Sequence, residues 1–407
     1  MPDIGRCVVL LGPELEPVLC EGLHWEGERI TRIDPLGPAR NLPFAGPVVI
    51  PGLVNGHTHI ADGLFPDGAT GLTLEAGFFR PDGYKYRALS EAKPEAIAEA
   101  MRAIHGAMAR GGTVCHLDFR EQGLAGAQLL RAVSEKSGVR SIILSQFAER
   151  PQDAEELENG KGGLSPEELA SLDALLDVAD GFSESTMNDL TDPAWEQIRQ
   201  VTEDCGKLRA VHCLENTGYR ETSLRLTGKG DLERALMIYD AHLIVHLTVA
   251  TPEEIGQLGA KEGIVCVVNP RANASLGLPL PPLRALLESG VPLLLGTDNV
   301  MLNEPDLFRE MDFCWKILRS QKRDPRFPDP LEVLKMCTVN AGRLPGMEDF
   351  GFLAEGREAT FCILDFSSPR LRRSRQIPAS IVSRAGPGDV ICTLRKGKLL
   401  YERKPDG

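Results

Sequence analysis

His57 and His59 stand in Val48-Val49-Ile50-Pro51-Gly52-Leu53-Val54-Asn55-Gly56-His57-Thr58-His59-Ile60, two imidazoles with one residue between them at the end of an apolar run. The run reads as a buried strand with a break at Pro51-Gly52. On an extended backbone alternate side chains share a face, so both rings point the same way. Two imidazoles on one strand make half of a zinc site. Further polar residues follow later apolar runs: His212 and Glu215 in Ala210-Val211-His212-Cys213-Leu214-Glu215, His246 after Leu243-Ile244-Val245, and Asp298 after Leu294-Leu295-Gly296-Thr297. A lone strand histidine is most often a hydrogen-bonded core residue. Here His57, His59, His212, His246 and Asp298 end four separate strands. We read His57, His59, His212 and Asp298 as ligands of one divalent metal, Zn²⁺ first, with Fe²⁺ and Mn²⁺ as alternatives. Bound Zn²⁺ lowers the pKa of a coordinated water from about 16 toward about 7, giving hydroxide at neutral pH.

Such a site needs strands whose ends converge. The sequence predicts strands at 48–54, 112–118, 140–147, 178–183, 207–213, 242–247, 263–268 and 291–297. Helical patterns fall near 91–110, 123–136, 166–177, 193–205, 230–239, 252–260 and 281–289, with two more at 304–320 and 329–343. Eight strands alternating with helices predict an α/β fold, a (β/α)8 TIM-like barrel with its active site at the C-terminal strand ends. Each polar motif sits at such an end. Residues 61–90 form a long insertion with Phe65, Phe78, Phe79, Tyr84 and Tyr86, either a lid over a planar ring or local packing. Short strand-like pieces with Gly and Pro turns occupy both chain ends. We expect 1–47 plus 351–407 to form a small β-sandwich domain beside a barrel domain over 48–350.

The 407 residues suffice for that barrel, and 42% hydrophobic with 25% charged residues is ordinary for a soluble globular protein. A formal net charge of -13 disfavours nucleic acid and anionic membrane as partners. None of the ten cysteines has the two-residue spacing of a thiolate metal site or redox pair. No apolar run reaches membrane-spanning length. The expectation is a cytoplasmic enzyme acting on a small molecule.

Taken in this order, the motifs resemble the amidohydrolase superfamily, in the branch of triazine hydrolases and of S-adenosylhomocysteine, guanine and cytosine deaminases. Gly356-Arg357-Glu358-Ala359 is similar to that family's Gly-Lys-x-Ala-Asp turn, with Thr360 at the Asp position. Asn269-Pro270-Arg271-Ala272-Asn273 resembles its Asn-Pro-x-Ser-Asn loop. The resemblance implies hydrolytic deamination of an amino-substituted N-heterocycle of purine, pyrimidine or nucleoside type. It implies that Glu215 protonates a ring nitrogen beside the attacked carbon. His246 would hydrogen-bond the water or the intermediate, with metal ligation as its alternative, and Asp298 would accept the water's proton. His-x-x-Glu on a continuing strand would not share a face, so the backbone must turn after His212. Relatives with two metals bridge them by a lysine from strand three or four. Val139–Pro151 and Leu176–Ser185 contain no lysine, which favours a single metal. A homodimer is the family's habit.

Substrate contacts are sought among Arg120, Arg150 and Glu184, which follow strands. Glu75 is the candidate for the glutamate that holds ribose in nucleoside deaminases, although the surrounding motif differs. His116 reads as a packed core histidine. Two other functions compete: cyclic amide or amidine hydrolysis, as in imidazolonepropionase, and a non-catalytic binding protein on the same barrel. The binding protein is disfavoured because no metal ligand is missing.

Overall fold

The computed structural model describes residues 3–404. Eight strands form a parallel sheet: β1 (Leu53–His59), β2 (Thr113–Arg120), β3 (Arg140–Ser145), β4 (Gly181–Phe182), β5 (Leu208–Cys213), β6 (Leu243–His246), β7 (Val265–Val268) and β8 (Leu293–Leu295). β8 pairs with β7 through Leu295 and Val268. Its continuation, Asp298–Asn299, pairs with β1 through Asp298 and Thr58. The last strand thus joins the seventh to the first and closes the expected barrel. That closure sets Asp298 beside the His57-x-His59 pair.

Apart from the half-buried Arg140 at the start of β3, the barrel strands are buried along their described length, as parallel strands covered on both faces must be. Val54, Leu117, Leu144, Ala210, Val245, Val267 and Leu294 cluster with Leu344, Met347 and Phe350. Residues of opposite parity, such as Ile143, Val211, Ile244, Cys266 and Val268, pack with helix residues including Leu130, Trp195 and Leu258.

The strand expected over 48–54 is two strands. Pro47–Pro51 pairs with Phe361–Asp365 and Cys7–Leu11 in a second sheet, and the barrel begins at Leu53. Between them a Cβ on Gly52 would lie 2.6 Å from a Val114 methyl, so only glycine fits at the crossing. The second sheet has eight strands drawn from both chain ends. Its core holds Cys7, Val9, Val49, Phe361, Ile363 and Trp25, with the Trp25 and Phe361 rings edge-on at 5.2 Å.

Helices follow the strands as the periodicity predicts, including Pro94–Arg110, Gly123–Ser137, Asp192–Asp204 and Leu307–Lys322. Three unexpected ones, Ala154–Asn159, Thr217–Thr227 and Pro270–Ser275, follow β3, β5 and β7. The insertion after β1 carries short helices at Leu74–Phe78 and Tyr84–Glu91. Phe65 packs edge-on against Tyr84 within it. Among the described residues no helix is long and apolar enough to cross a membrane.

Candidate metal-dependent active site

Four residues at the strand ends adopt the left-handed conformation that side chains avoid: Leu214 (φ 55°), His246 (φ 80°), Leu247 (φ 58°) and Asp298 (φ 63°). Strain of this kind costs on the order of 1–3 kcal/mol per residue and gathers at functional sites. Leu214 supplies the turn that the His212-x-x-Glu215 spacing demands. After it Glu215 folds back toward the barrel axis, buried beside His246.

Ligand atoms of His57, His59 and Asp298 lie within 4.8 Å of one another, as do those of His57, His212 and His246, and of Glu215, His246 and Asp298. Hydrogen bonds from the ring backs fix two of the imidazoles. His59 Nδ1 donates to Glu121 Oε1 at 2.7 Å, and His212 Nδ1 donates to the Glu184 carbonyl at 3.2 Å. Each ring therefore keeps its Nε2 lone pair for the cluster. Asp298 Oδ1 lies 3.1 Å from His57 Nε2 and 3.6 Å from His59 Nε2. Burial, first of all, holds His57 and His212 well below the ordinary imidazole pKa, so neutral nitrogens face a carboxylate. Converging acceptors need a cation between them, and this donor set of imidazoles and one carboxylate suits zinc.

His246 Nδ1 sits 3.4 Å from the Asn269 amide nitrogen and 3.3 Å from that of Asn273. With the amides so oriented it accepts from them, and Nε2 carries the proton. That nitrogen lies 3.6 Å from Glu215 Oε1. Burial, then the neighbouring Asp298 charge, pushes the Glu215 carboxyl up to about 8. Burial pulls His246 down to about 3. The two groups are thus a neutral acid and a neutral donor at neutral pH.

A family model for the amidohydrolase family matches residues 48–400. The chain belongs to the amidohydrolase family. Membership makes it a hydrolase of carbon–nitrogen bonds other than peptide bonds. A protein of Methanothermobacter thermautotrophicus is 32% identical over 397 residues, covering 96% of this chain and 97% of that one. A 5'-deoxyadenosine deaminase of Methanopyrus kandleri is 26% identical over 365 residues, 87% of this chain and 81% of that one. The crystal structure of a zinc-bound adenosine deaminase from Xanthomonas campestris has the same fold. It superposes with a TM-score of 0.82 at 22% identity, covering 97% of this chain and 91% of that one.

Against this amidohydrolase frame the other candidate residues part ways. Glu75 is exposed on its short helix, away from the cluster. Arg120, sought at the mouth, is fully buried and paired with the Glu121 carboxylate, so it braces the partner of His59. Glu184 is buried, ion-paired to Arg80 at 2.5 Å, and touches the site through its carbonyl. Arg150 lies outside the cluster and donates to the Arg80 carbonyl at 3.0 Å. With Phe79, Arg80 and Tyr219 it lines an outer cavity of about 260 Å³. His116 is a core histidine, bonded to Thr58 Oγ1 at 2.8 Å and Ser141 Oγ at 2.7 Å.

The sequence reading missed Lys85, Glu121 and Asp62. Glu121 follows Arg120 at the strand end, one step beyond the residue singled out. Asp62 accepts from Asn299 Nδ2 at 2.7 Å and the Met301 amide at 3.1 Å, tying the insertion to the end of β8. Lys85 reaches the site from a helix with no periodic relation to it. An inner cavity of about 40 Å³ remains above the cluster, lined by Phe78, Lys85, Tyr86, Glu215 and Tyr219 among others.

Proposed function

We propose that this amidohydrolase deaminates an amino-substituted N-heterocycle hydrolytically, using one divalent ion, zinc in preference to iron or manganese. The observation that carries the reading is Glu215, a buried carboxyl held neutral to about pH 8 at the wall of the cavity over the ligand cluster. A group poised near the working pH is what proton delivery to a ring nitrogen requires. The deaminase relative and the zinc-bound adenosine deaminase fold support it.

An ion held by His57, His59, His212 and Asp298 would supply Lewis acidity and a hydroxide nucleophile at neutral pH. Glu215 donates its proton to the ring nitrogen beside the amine-bearing carbon, so that carbon becomes electrophilic. The Nε2–H of His246 donates to the oxygen arriving there. Asp298 takes the proton lost by that oxygen. The carbon–nitrogen bond then breaks, with a proton from Asp298 or Glu215 going to the departing amine. Water and the amino heterocycle yield the oxo heterocycle and ammonia. A small-molecule substrate accords with the net charge of -13.

The test is ammonia release by metal-loaded protein over aminopurines, aminopyrimidines, their nucleosides and aminotriazines, with Glu215→Gln as control. Turnover is expected from the wild type and a loss of about 10²- to 10⁴-fold in the variant at unchanged metal content. Silence over the whole panel with metal bound overturns deamination and points to cyclic amides. Full turnover in Glu215→Gln removes that residue from the proton path.

A further inference from the structure

Lys85 is a buried cation at the reacting centre that the proton-transfer scheme leaves unused. It comes from the insertion helix Tyr84–Glu91 and is 3% exposed. Its Nζ lies 2.8 Å from Glu121 Oε1 and 3.5 Å from His59 Nδ1. Glu121 is shared three ways, because it also accepts from His59 Nδ1 and pairs with Arg120. Arg120 also faces Asp118 at 3.8 Å, whereas Glu121 is the carboxylate in contact with Lys85, and it shares that contact with Arg120 and His59. The rings of Phe78 and Tyr86, 5.6 and 5.3 Å from Nζ, offset the ammonium charge only weakly. An ammonium has three N–H donors. Glu121 takes one, and the His59 nitrogen cannot take another because it is itself a donor. Lys85 lines the inner cavity with Glu215 and Asp298, so the N–H donors that Glu121 does not take are left for that cavity.

We infer that Lys85 is a specificity-determining residue that selects heterocycles carrying an exocyclic oxygen on the ring carbon next to the nitrogen protonated by Glu215. The inference rests on the deamination reading and narrows it to amino-oxo rings, at the expense of aminopurines that lack the oxygen. Lys85 Nζ stands one imidazole away from the ligand cluster, so its partner must sit on the ring itself. A flexible arm would emerge toward the outer cavity, beyond Phe78 and Tyr219, which line both spaces. A carbonyl oxygen conjugated to the ring is a strong acceptor of the right size. Its loss would leave buried N–H donors of Lys85 unmet beyond the one that Glu121 takes, a penalty for the analogue.

The experiment compares matched pairs: 4-aminopyrimidin-2-one against 4-aminopyrimidine, and 6-aminopurin-2-one against 6-aminopurine. Metal-loaded wild type, Lys85→Met and Lys85→Arg are assayed for kcat and KM, with metal content measured in each. Calorimetric binding of the unreactive pairs pyrimidin-2-one and pyrimidine, and purin-2-one and purine, is measured alongside. The expected wild-type preference for the oxo member is at least about tenfold in kcat/KM for one pair. The preference collapses toward unity in Lys85→Met, chiefly through KM, and is partly restored in Lys85→Arg. Deamination without an oxo preference, or the same preference in Lys85→Met, overturns the inference and leaves the function standing. Oxo-selective binding that Lys85→Met abolishes, with no ammonia from any ring, upholds the recognition and overturns deamination. Absence of binding by every oxo ring overturns the inference. So does metal loss in Lys85→Met with all substrates impaired alike, since that result marks a structural residue.

Discussion

A histidine does opposite things in this chain according to what its nitrogens meet. His57 and His212 are buried with lone pairs aimed at a shared point, whereas His105 and His116 are buried with every nitrogen engaged. His105 Nδ1 bonds Ser137 Oγ at 2.7 Å and its Nε2 lies 3.0 Å from His116 Nε2. Burial lowers the His105 pKa to about 4. The unfolded chain takes up this proton near pH 6.5 and the folded chain only near 4, so the unfolded state binds more protons between those values. Stability then rises with pH across that window. The contribution of His105 is fully present above about pH 6.5 and lost as pH falls to about 4, a span worth up to about 3 kcal/mol. Urea unfolding of wild type and His105→Asn from pH 7 to 4 checks this. The variant should show the shallower pH dependence, and parallel curves would show that His105 is protonated in the fold.

At the scale of elements, the site depends on how closely β8 approaches β1. Gly296 lies just before the Thr297-Asp298 turn. A Cβ there would sit 2.6 Å from His57 Cβ and 2.3 Å from Asn269 Oδ1. Neither neighbour can retreat, since His57 is fixed by its strand and Asn269 faces His246. Gly296→Ala should therefore push β1 and β7 apart at the ligand level. The expected result is destabilisation of about 1–3 kcal/mol by denaturant titration, with weaker metal retention on dialysis. A variant as stable and as metal-loaded as wild type would mean that the strands have room to spare. The insertion behaves differently. Its short helices carry Lys85 and Arg80 inward to Glu121 and Glu184, so it walls the cavity rather than forming a surface loop.

Across the whole molecule, the two chain ends depend on each other. Pro47–Pro51 is held on one side by Cys7–Leu11 and on the other by Phe361–Asp365. It leads through Gly52 directly into β1, the strand that carries His57 and His59. Removing residues 361–407 would strip Phe361 and Ile363 from the second core and leave a long apolar strand edge unpaired, a template for aggregation. The shortened chain is expected to be recovered insoluble, and co-expression with the missing segment should rescue part of it. A soluble, metal-binding product would show that the barrel folds without its companion sheet.

Barrel architecture and the polar residues that converge at its strand ends were legible in the chain itself. Apolar runs of strand length recur between helical periods, and a strand end is a local feature that the pattern marks. His57, His59, His212, His246 and Asp298 could be named because they stand at the ends of four apolar runs of strand length. The turn at Leu214 was legible because two functional side chains three apart cannot share a strand face. What lay beyond the sequence depended on contacts between distant segments. Glu184 turned inward because Arg80, 104 residues earlier, waits there, and Glu121 beside Arg120 is met by Lys85 from the insertion. The strand over 48–54 divided because Val114, 62 residues beyond Gly52, crowds that crossing. Lys85 entered the site because an irregular insertion has no repeat from which direction can be read. Periodicity reports which face of an element is buried, and only the assembled barrel decides which charges meet across the space between elements.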